Sequence, residues 1–408
     1  MRQPTATDRL VEQVERRLAQ RRDAGSRFFA AEAGRIAALC HRVAERFARG
    51  GCLLAVGCSA TARSDVRHVA VEFVHPVIVG KRALPALGIT GESGSLLREL
   101  RLRARAEDIV IAFGAPGDGA ELASSVEHAR SLGCLTVAFA PLGAEWELEP
   151  ASGDPFVDQE IVETTYHLLW ELVHVFFEHR GLLEGRILQP THDAGGASFL
   201  YPFLAEREHD LDAVLADVRD SVRMKALEID ALREQTLGEG AEQLHAAAAA
   251  ARATFAAGGE VLALGNGGSA TDAMDLVADL VAPPPQMGWP ARRALDLTAD
   301  AAILTALGND IGAEAIFSRQ VIAYGAAGDA LVTFSTSGNS LSVLTALEEA
   351  RRRGLRTIAF VGYDGGRIAA EGLADHVVIT RSQHIPRIQE AQAAASHLFR
   401  ELIELETP

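Results

Sequence analysis

The chain has 408 residues, 48% of them apolar and 23% charged, with a formal net charge of −16 and a pI near 5.3. That length is too great for one ordinary core and sufficient for two, and the composition is that of a water-soluble globular protein. An acidic chain without a Lys/Arg-rich run, and without a basic helix-turn-helix-like segment, is excluded as a general binder of nucleic acid or anionic membranes.

In chain order, the opening MRQPTATDRLVEQVERR carries no apolar signal core. A long amphipathic helix is predicted over about 27–49, ending in the C-cap signal Gly50-Gly51. The short apolar run CLLAVG (52–57) follows, then a helix containing SDVRHVAVEF, then IVIAFG (109–114), a helix, and LTVAFA (135–140). A last apolar helix contains LLWELVHVFF from Leu168, which Glu171 and His174 interrupt and which is too short to span a bilayer. Cys40, Cys52, Cys58 and Cys134 match the spacing of neither a disulfide framework nor a zinc module. The expectation is a cytoplasmic protein with reduced thiols. Residues 186–210, RILQPTHDAGGASFLYPFLAEREHD with its final Asp, read as a linker, leading into a charged helix from about Leu211. A second amphipathic helix over about 236–257 ends in Gly258-Gly259, and VLALG, LVTFS and RTIAFVG then alternate with helices.

The chain repeats itself. ARGGCLLAVGCSATA (48–62) parallels AAGGEVLALGNGGSA (256–270), the 108–140 segment parallels 329–361, and QEIVETTYHLLWEL (159–172) parallels QEAQAAASHLFREL (389–402). The order is the same throughout, and the first copy is shorter in its loops. Short apolar runs between helices mean buried parallel strands with right-handed crossovers. The expected fold is α/β: two tandem, doubly wound parallel sheets, each led by a long helix, over residues 1–185 and 211–408. Each sheet would bind its ligand at the carboxyl ends of the strands.

Two loops of the second copy carry the chemistry of an anion site. GNGGS (265–269) places Asn266, Gly267 and Ser269 at a helix start, where backbone amides can face a phosphate. STSGNS supplies the hydroxyls of Ser335, Thr336, Ser337 and Ser340 at the neighbouring strand end; taken alone it reads equally as an N-cap with a polar loop. One turn into the first helix stand Asp275 and Asp279, four apart on one face. They are an acid pair behind the anion cup, a solvated helix face, or the remnant of a lost site.

The stretches GNGGSATDA, ILTALGNDIGAEAIFSRQV, GDALVTFSTSGNS, GYDGGRIA and RIQE resemble, in this order, those of phosphoheptose isomerases in the sugar isomerase (SIS) superfamily. The resemblance spans nearly all of 236–404. It implies a five-stranded, flavodoxin-like parallel sheet, a homo-oligomer with sites near subunit interfaces, and conversion of sedoheptulose 7-phosphate to a heptose 7-phosphate, with Asp310 among the substrate-binding residues. The family carries a His and a Glu four apart on the helix after the Gly-rich turn, and a Gln and a His eight apart in the last helix, as its metal and catalytic constellation. Here Gln389 and His397 match, while Asp275 and Asp279 stand for the His and Glu. The family's basic residue after that helix falls in APPPQ, and its Asp three before the Gln is Pro386.

The first copy departs in the opposite sense. Aligning Asp65 with Asp272 sets His68 opposite Asp275 and Glu72 opposite Asp279, and the last helix adds Gln159 and His167. The quartet His68, Glu72, Gln159 and His167 is complete by type and is the candidate zinc set, two imidazoles and a carboxylate. A surface or interface histidine is the other reading of His68. The hydroxyl loop is lost, Gly114, Ala115, Pro116 and Gly119 replacing Ser335, Thr336, Ser337 and Ser340.

The sequence therefore points to aldose–ketose isomerisation of a phosphorylated sugar, with His68, Glu72, His167, Asp279 and His397 as acid–base candidates. The alternative is a non-catalytic SIS protein, a sugar-phosphate sensor or an oligomeric scaffold with a protein partner. The surplus apolar faces of the leading and final helices predict a homodimer, a pseudo-tetramer of SIS domains.

Overall fold

A computed structural model describes residues 6–77, 81–92, 94–114, 120–178, 183 and 210–405. The chain folds as α1 (Ala6–Ala48), β1 (Leu53–Val56), α2 (Ala60–Val74), β2 (Ala86–Ile89), α3 (Leu96–Arg103), β3 (Ile109–Ala112), α4 (Ala120–Leu132), β4 (Leu135–Ala138), β5 (Trp146–Glu147) and α5 (Pro155–Glu178). It continues with α6 (Leu211–Ala256), β6 (Val261–Leu264), α7 (Gly268–Val281), β7 (Ala294–Asp296), α8 (Ala301–Asp310), α9 (Ser318–Tyr324), β8 (Ala330–Ser335), α10 (Leu341–Arg352), β9 (Arg356–Gly362), α11 (Gly366–Ala370), β10 (His376–Thr380) and α12 (Ile385–Glu404). The predicted strands are all present. The leading helices are longer than expected: α1 begins near residue 6 rather than 27, and α6 is one continuous helix. The expected linker lies, but for Asp210, outside the described residues, as do Ala115, Pro116 and Gly119.

Two five-stranded parallel sheets form, in the orders β2-β1-β3-β4-β5 and β10-β9-β8-β6-β7. Numbered within each repeat these are the same doubly wound order. Its switch point falls between β1 and β3 in one sheet and between β6 and β8 in the other, the place where such sheets open a crevice. The strands are short apolar runs because both faces are covered. In β6, Val261 and Ala263 join a core with Leu244, Ala251, Leu398 and Phe399, while Leu262 and Leu264 join the opposite core with Val343, Leu347 and Phe317.

The chain divides into two units that are not contiguous in sequence. The first-repeat unit comprises Ala24–Asp154 and Ile161–Leu227, and the second-repeat unit comprises Met1–Asp23, Pro155–Glu160 and Glu228–Pro408. The opening of α1 is counted with the second repeat because its apolar face is buried there: Val14 is 3% exposed in the same core as Leu237 and Leu244, with Leu18 packed against it. The opening of α6 belongs with the first repeat, where Lys225 pairs with Glu171 at 2.5 Å.

Candidate active site

In the second-repeat unit the two predicted loops meet at the switch point. The Asn266 amide donates at 3.0 Å to both Ser340 Oγ and Ser342 Oγ, tying the turn after β6 to the start of α10. Gly265 is required there, since a Cβ would stand 2.1 Å from the Ser269 carbonyl oxygen. Gly267 at the cap of α7 has φ 58°, the left-handed region that favours glycine. Ser335 Oγ accepts from the Gly338 amide at 3.1 Å and Ser337 Oγ from the Asn339 amide at 3.2 Å, so the loop closes on its own hydroxyls. Ser269 and Ser335 are buried, and Thr336, Ser337 and Ser340 are half-buried around them. Asp310 is exposed at the end of α8, accepting from the Asn309 amide at 2.7 Å.

Further along α7, Asp275 and Asp279 face α12. His397 Nε2 lies 3.3 Å from Asp275 and 3.9 Å from Asp279, and Nδ1 lies 3.0 Å from Glu160. The ring of Phe156 stacks on the imidazole at 4.5 Å and 12°. Burial alone would discharge His397, but its hydrogen bonds to Asp275 and Glu160 outweigh it and raise the imidazole pKa well above its usual range. Burial, and then the neighbouring Asp275, push the Asp279 carboxyl well above the usual carboxylate range. Glu160 goes the other way, to about 2: burial opposes, but Arg21, His397 and Arg233 prevail. Arg21 Nε donates to both Glu160 oxygens at 3.1 and 3.0 Å. Gln389 is buried on α12, two turns before His397 and so about 12 Å away along the helix.

The predicted quartet of the first repeat is divided between the two units. Gln159 belongs to the second-repeat unit, where its amide donates to Asp275 at 2.8 Å. The boundary between the two units falls within the continuous helix α5, between residues 160 and 161, two turns before His167. His68 and His167 do meet in the first-repeat unit, Nε2 to Nε2 at 3.3 Å, with the Tyr166 hydroxyl 3.0 Å from His68 Nδ1. Glu72 lies 3.9 Å from His68 Nε2 and Glu163 3.8 Å from His68 Nδ1, and burial raises the Glu72 pKa. The carboxylate grouped with the two imidazoles is Glu163, all donor atoms lying within 4.8 Å of one another. Burial and the adjacent His167 hold the His68 pKa well below its usual range.

Sequence reasoning missed Glu160, Glu163 and Arg21. Glu163 had a signal, being four residues before His167 on the same helix face. Glu160 follows Gln159 directly, but its partners lie far away in sequence. Arg21 lies in a stretch read as part of no site.

The SIS domain family matches residues 226–362. The chain is 44% identical to the phosphoheptose isomerase of Desulfovibrio desulfuricans over 194 residues, which are 48% of this chain and 87% of that protein. It is 47% identical to the phosphoheptose isomerase of Citrifermentans bemidjiense over 152 residues, 37% of this chain and 78% of that one. Among solved structures, the tagatose-6-phosphate ketose/aldose isomerase from Escherichia coli is similar in fold, with a TM-score of 0.54 at 15% identity over 96% of this chain and 91% of that one.

Proposed function

Because the chain belongs to the phosphoheptose isomerase family of SIS-domain proteins, we propose that its second-repeat unit binds a phosphorylated sugar and interconverts its aldose and ketose forms. The observation that carries this reading is that one helix serves both needs. α7 opens in the Gly-rich turn and, farther along, presents Asp275 and Asp279 to His397. Ser269 and Asp275 are six residues apart, about 9 Å along the helix, comparable with an extended six- or seven-carbon chain. Amides at the helix start and the hydroxyls of Ser269, Ser335, Thr336, Ser337 and Ser340 suit the phosphate end. Isomerisation moves a proton between C1 and C2 through an enediolate. A buried carboxyl of raised pKa such as Asp279 is suited to give and take that proton. His397, held charged, is suited to donate toward the oxygen that gains negative charge. Gln159 orients Asp275, and Gln389 and Asp310 are kept as sugar-binding candidates.

The donor sets also fit divalent cations. Asp275, Asp279 and His397 place their donor atoms within 4.8 Å of one another and would hold a cation that takes oxygen ligands. In the first-repeat unit His68, Glu163 and His167 would hold zinc, favoured by two imidazoles, and being buried would use it to tie α2 to α5. A cation in the acid site supplies Lewis-acid stabilisation to an anionic oxygen when bound.

Sedoheptulose 7-phosphate in D2O, followed by proton NMR and calorimetry, tests the reading. Product and deuterium at the exchanged carbon are expected. Heat of binding without exchange would favour the sensor or scaffold, the alternative suggested by the Asp pair standing where relatives carry His and Glu. No heat with any six- or seven-carbon sugar phosphate, nor with inorganic phosphate, would remove the isomerase and the sensor and leave the scaffold.

A further inference from the structure

We propose that Glu160 is the positioning residue of the second-repeat site: it accepts the Nδ1–H of His397 and thereby commits Nε2 to the side where Asp275 and Asp279 stand. The inference rests on the preceding reading only in taking this cluster as the working site. Glu160 and His397 are each 1% exposed and lie 3.0 Å apart. Glu160 is itself clamped: Arg21 reaches it through Nε at 3.1 and 3.0 Å and through Nη2 at 3.0 Å, and Arg233 Nε approaches to 3.9 Å. Phe156 covers one face of the imidazole. A ring flipped by half a turn would set carbon atoms against Glu160 and lose the bond, so the carboxylate fixes one ring orientation.

The clamp has its own chain logic. Arg21 comes from α1 and Glu160 from the first turns of α5, both outside the second repeat at 211–408. The working imidazole of the second repeat is therefore oriented by residues that the second repeat does not encode. Arg21 is 2% exposed and also lies 3.6 Å from Glu401, and Arg17 pairs with Glu401 at 2.7 Å, which anchors α1 beside α12. A carboxylate–imidazole pair with the far nitrogen on the reacting side is the arrangement by which second partners set ring orientation and basicity, worth roughly 10–100-fold in activity.

The test uses the full-length protein with Glu160→Gln, and with the double change Arg21→Gln/Glu160→Gln, in which one buried charge of each sign is removed together. Ring nitrogens are read by 15N NMR, His397 being identified by its loss in His397→Gln. The expected result in both variants is a changed His397 signature, with ring-nitrogen shifts that report the loss of the hydrogen bond at Nδ1. With sedoheptulose 7-phosphate, kcat should fall roughly 10–100-fold while KM changes less than about twofold, because the phosphate loops are untouched. A folded variant that keeps the wild-type His397 signature overturns the proposal. So does one whose kcat stays within about twofold, or one whose KM rises in step with the fall in kcat, which is what general loosening would produce. If wild type turns over no sugar phosphate, the functional reading fails, while the NMR comparison still decides the role of Glu160.

Discussion

His174 shows how burial sets a charge state in this protein. Its Nδ1 lies 2.8 Å from the Trp170 carbonyl oxygen and its Nε2 3.1 Å from that of Arg82, so a doubly protonated ring would satisfy both. Burial, then the nearby Lys81, nevertheless holds its pKa at about 4. Between that value and the ordinary 6.5 the unfolded chain binds the extra proton, so stability rises with pH across the window and is lost as pH falls through it. The effect is at most about 3 kcal/mol. Thermal unfolding of His174→Gln from pH 7 to pH 4 should show a flatter pH dependence than wild type. The first-repeat imidazoles make a second prediction. Zinc content, measured on purified proteins, should drop in His68→Ala and in Glu163→Ala but not in Asp275→Ala. Equal zinc in wild type and His68→Ala would count against the assignment. Glu163 was legible as the i, i+4 partner of His167; alignment to the second repeat hid it, because the corresponding residue there is Ala393.

At the scale of elements, the turn between β6 and α7 concentrates the sequence's most readable signal. Gly265 faces the Ser269 backbone so closely that Gly265→Ala must open the turn, whereas at Gly258, ahead of β6, a Cβ meets nothing within 4 Å. Calorimetry with a sugar phosphate should show Gly265→Ala weakened by more than about tenfold, the loss of at least one charge-assisted hydrogen bond. Gly258→Ala, strained by its φ of 79° but remote from the loop, should lose stability and keep affinity. Helix lengths were less readable. The helices expected from about Leu211 and over 236–257 are one, α6, which runs through Gly238 and Gly240 although each costs about 1 kcal/mol in a helix. Tertiary packing decides this: Leu237 and Leu244 are fully buried, and a Cβ on Gly240 would crowd the Val378 side chain at 3.2 Å.

At the scale of the whole molecule, the second-repeat unit takes in the opening of α1, as far as Asp23. A variant lacking residues 1–23 loses the Arg21 clamp, the Arg17–Glu401 pair and the burial of Val14, the last worth about 1.5–3 kcal/mol. Limited proteolysis should cut the second-repeat unit of that variant faster than the wild type's; equal protection would show the segment to be dispensable. For the assembly we propose a homodimer, and light scattering should return twice the 43.4 kDa chain mass. The sequence by itself determined the duplication, both parallel sheets, the Gly-rich turn with its serine loop, and the acid pair four apart on one helix. All of these are local patterns: period, turn chemistry and spacing within a helix carry them. Only the tertiary structure decided that Gln159 and Glu160 lie with the second repeat, that Glu163 rather than Glu72 groups with the two histidines, and that Arg21 reaches Glu160 beside His397. Those pairings join residues more than 100 positions apart or choose between neighbouring carboxylates, and buried charges find partners by where long helices pack, which no local pattern records.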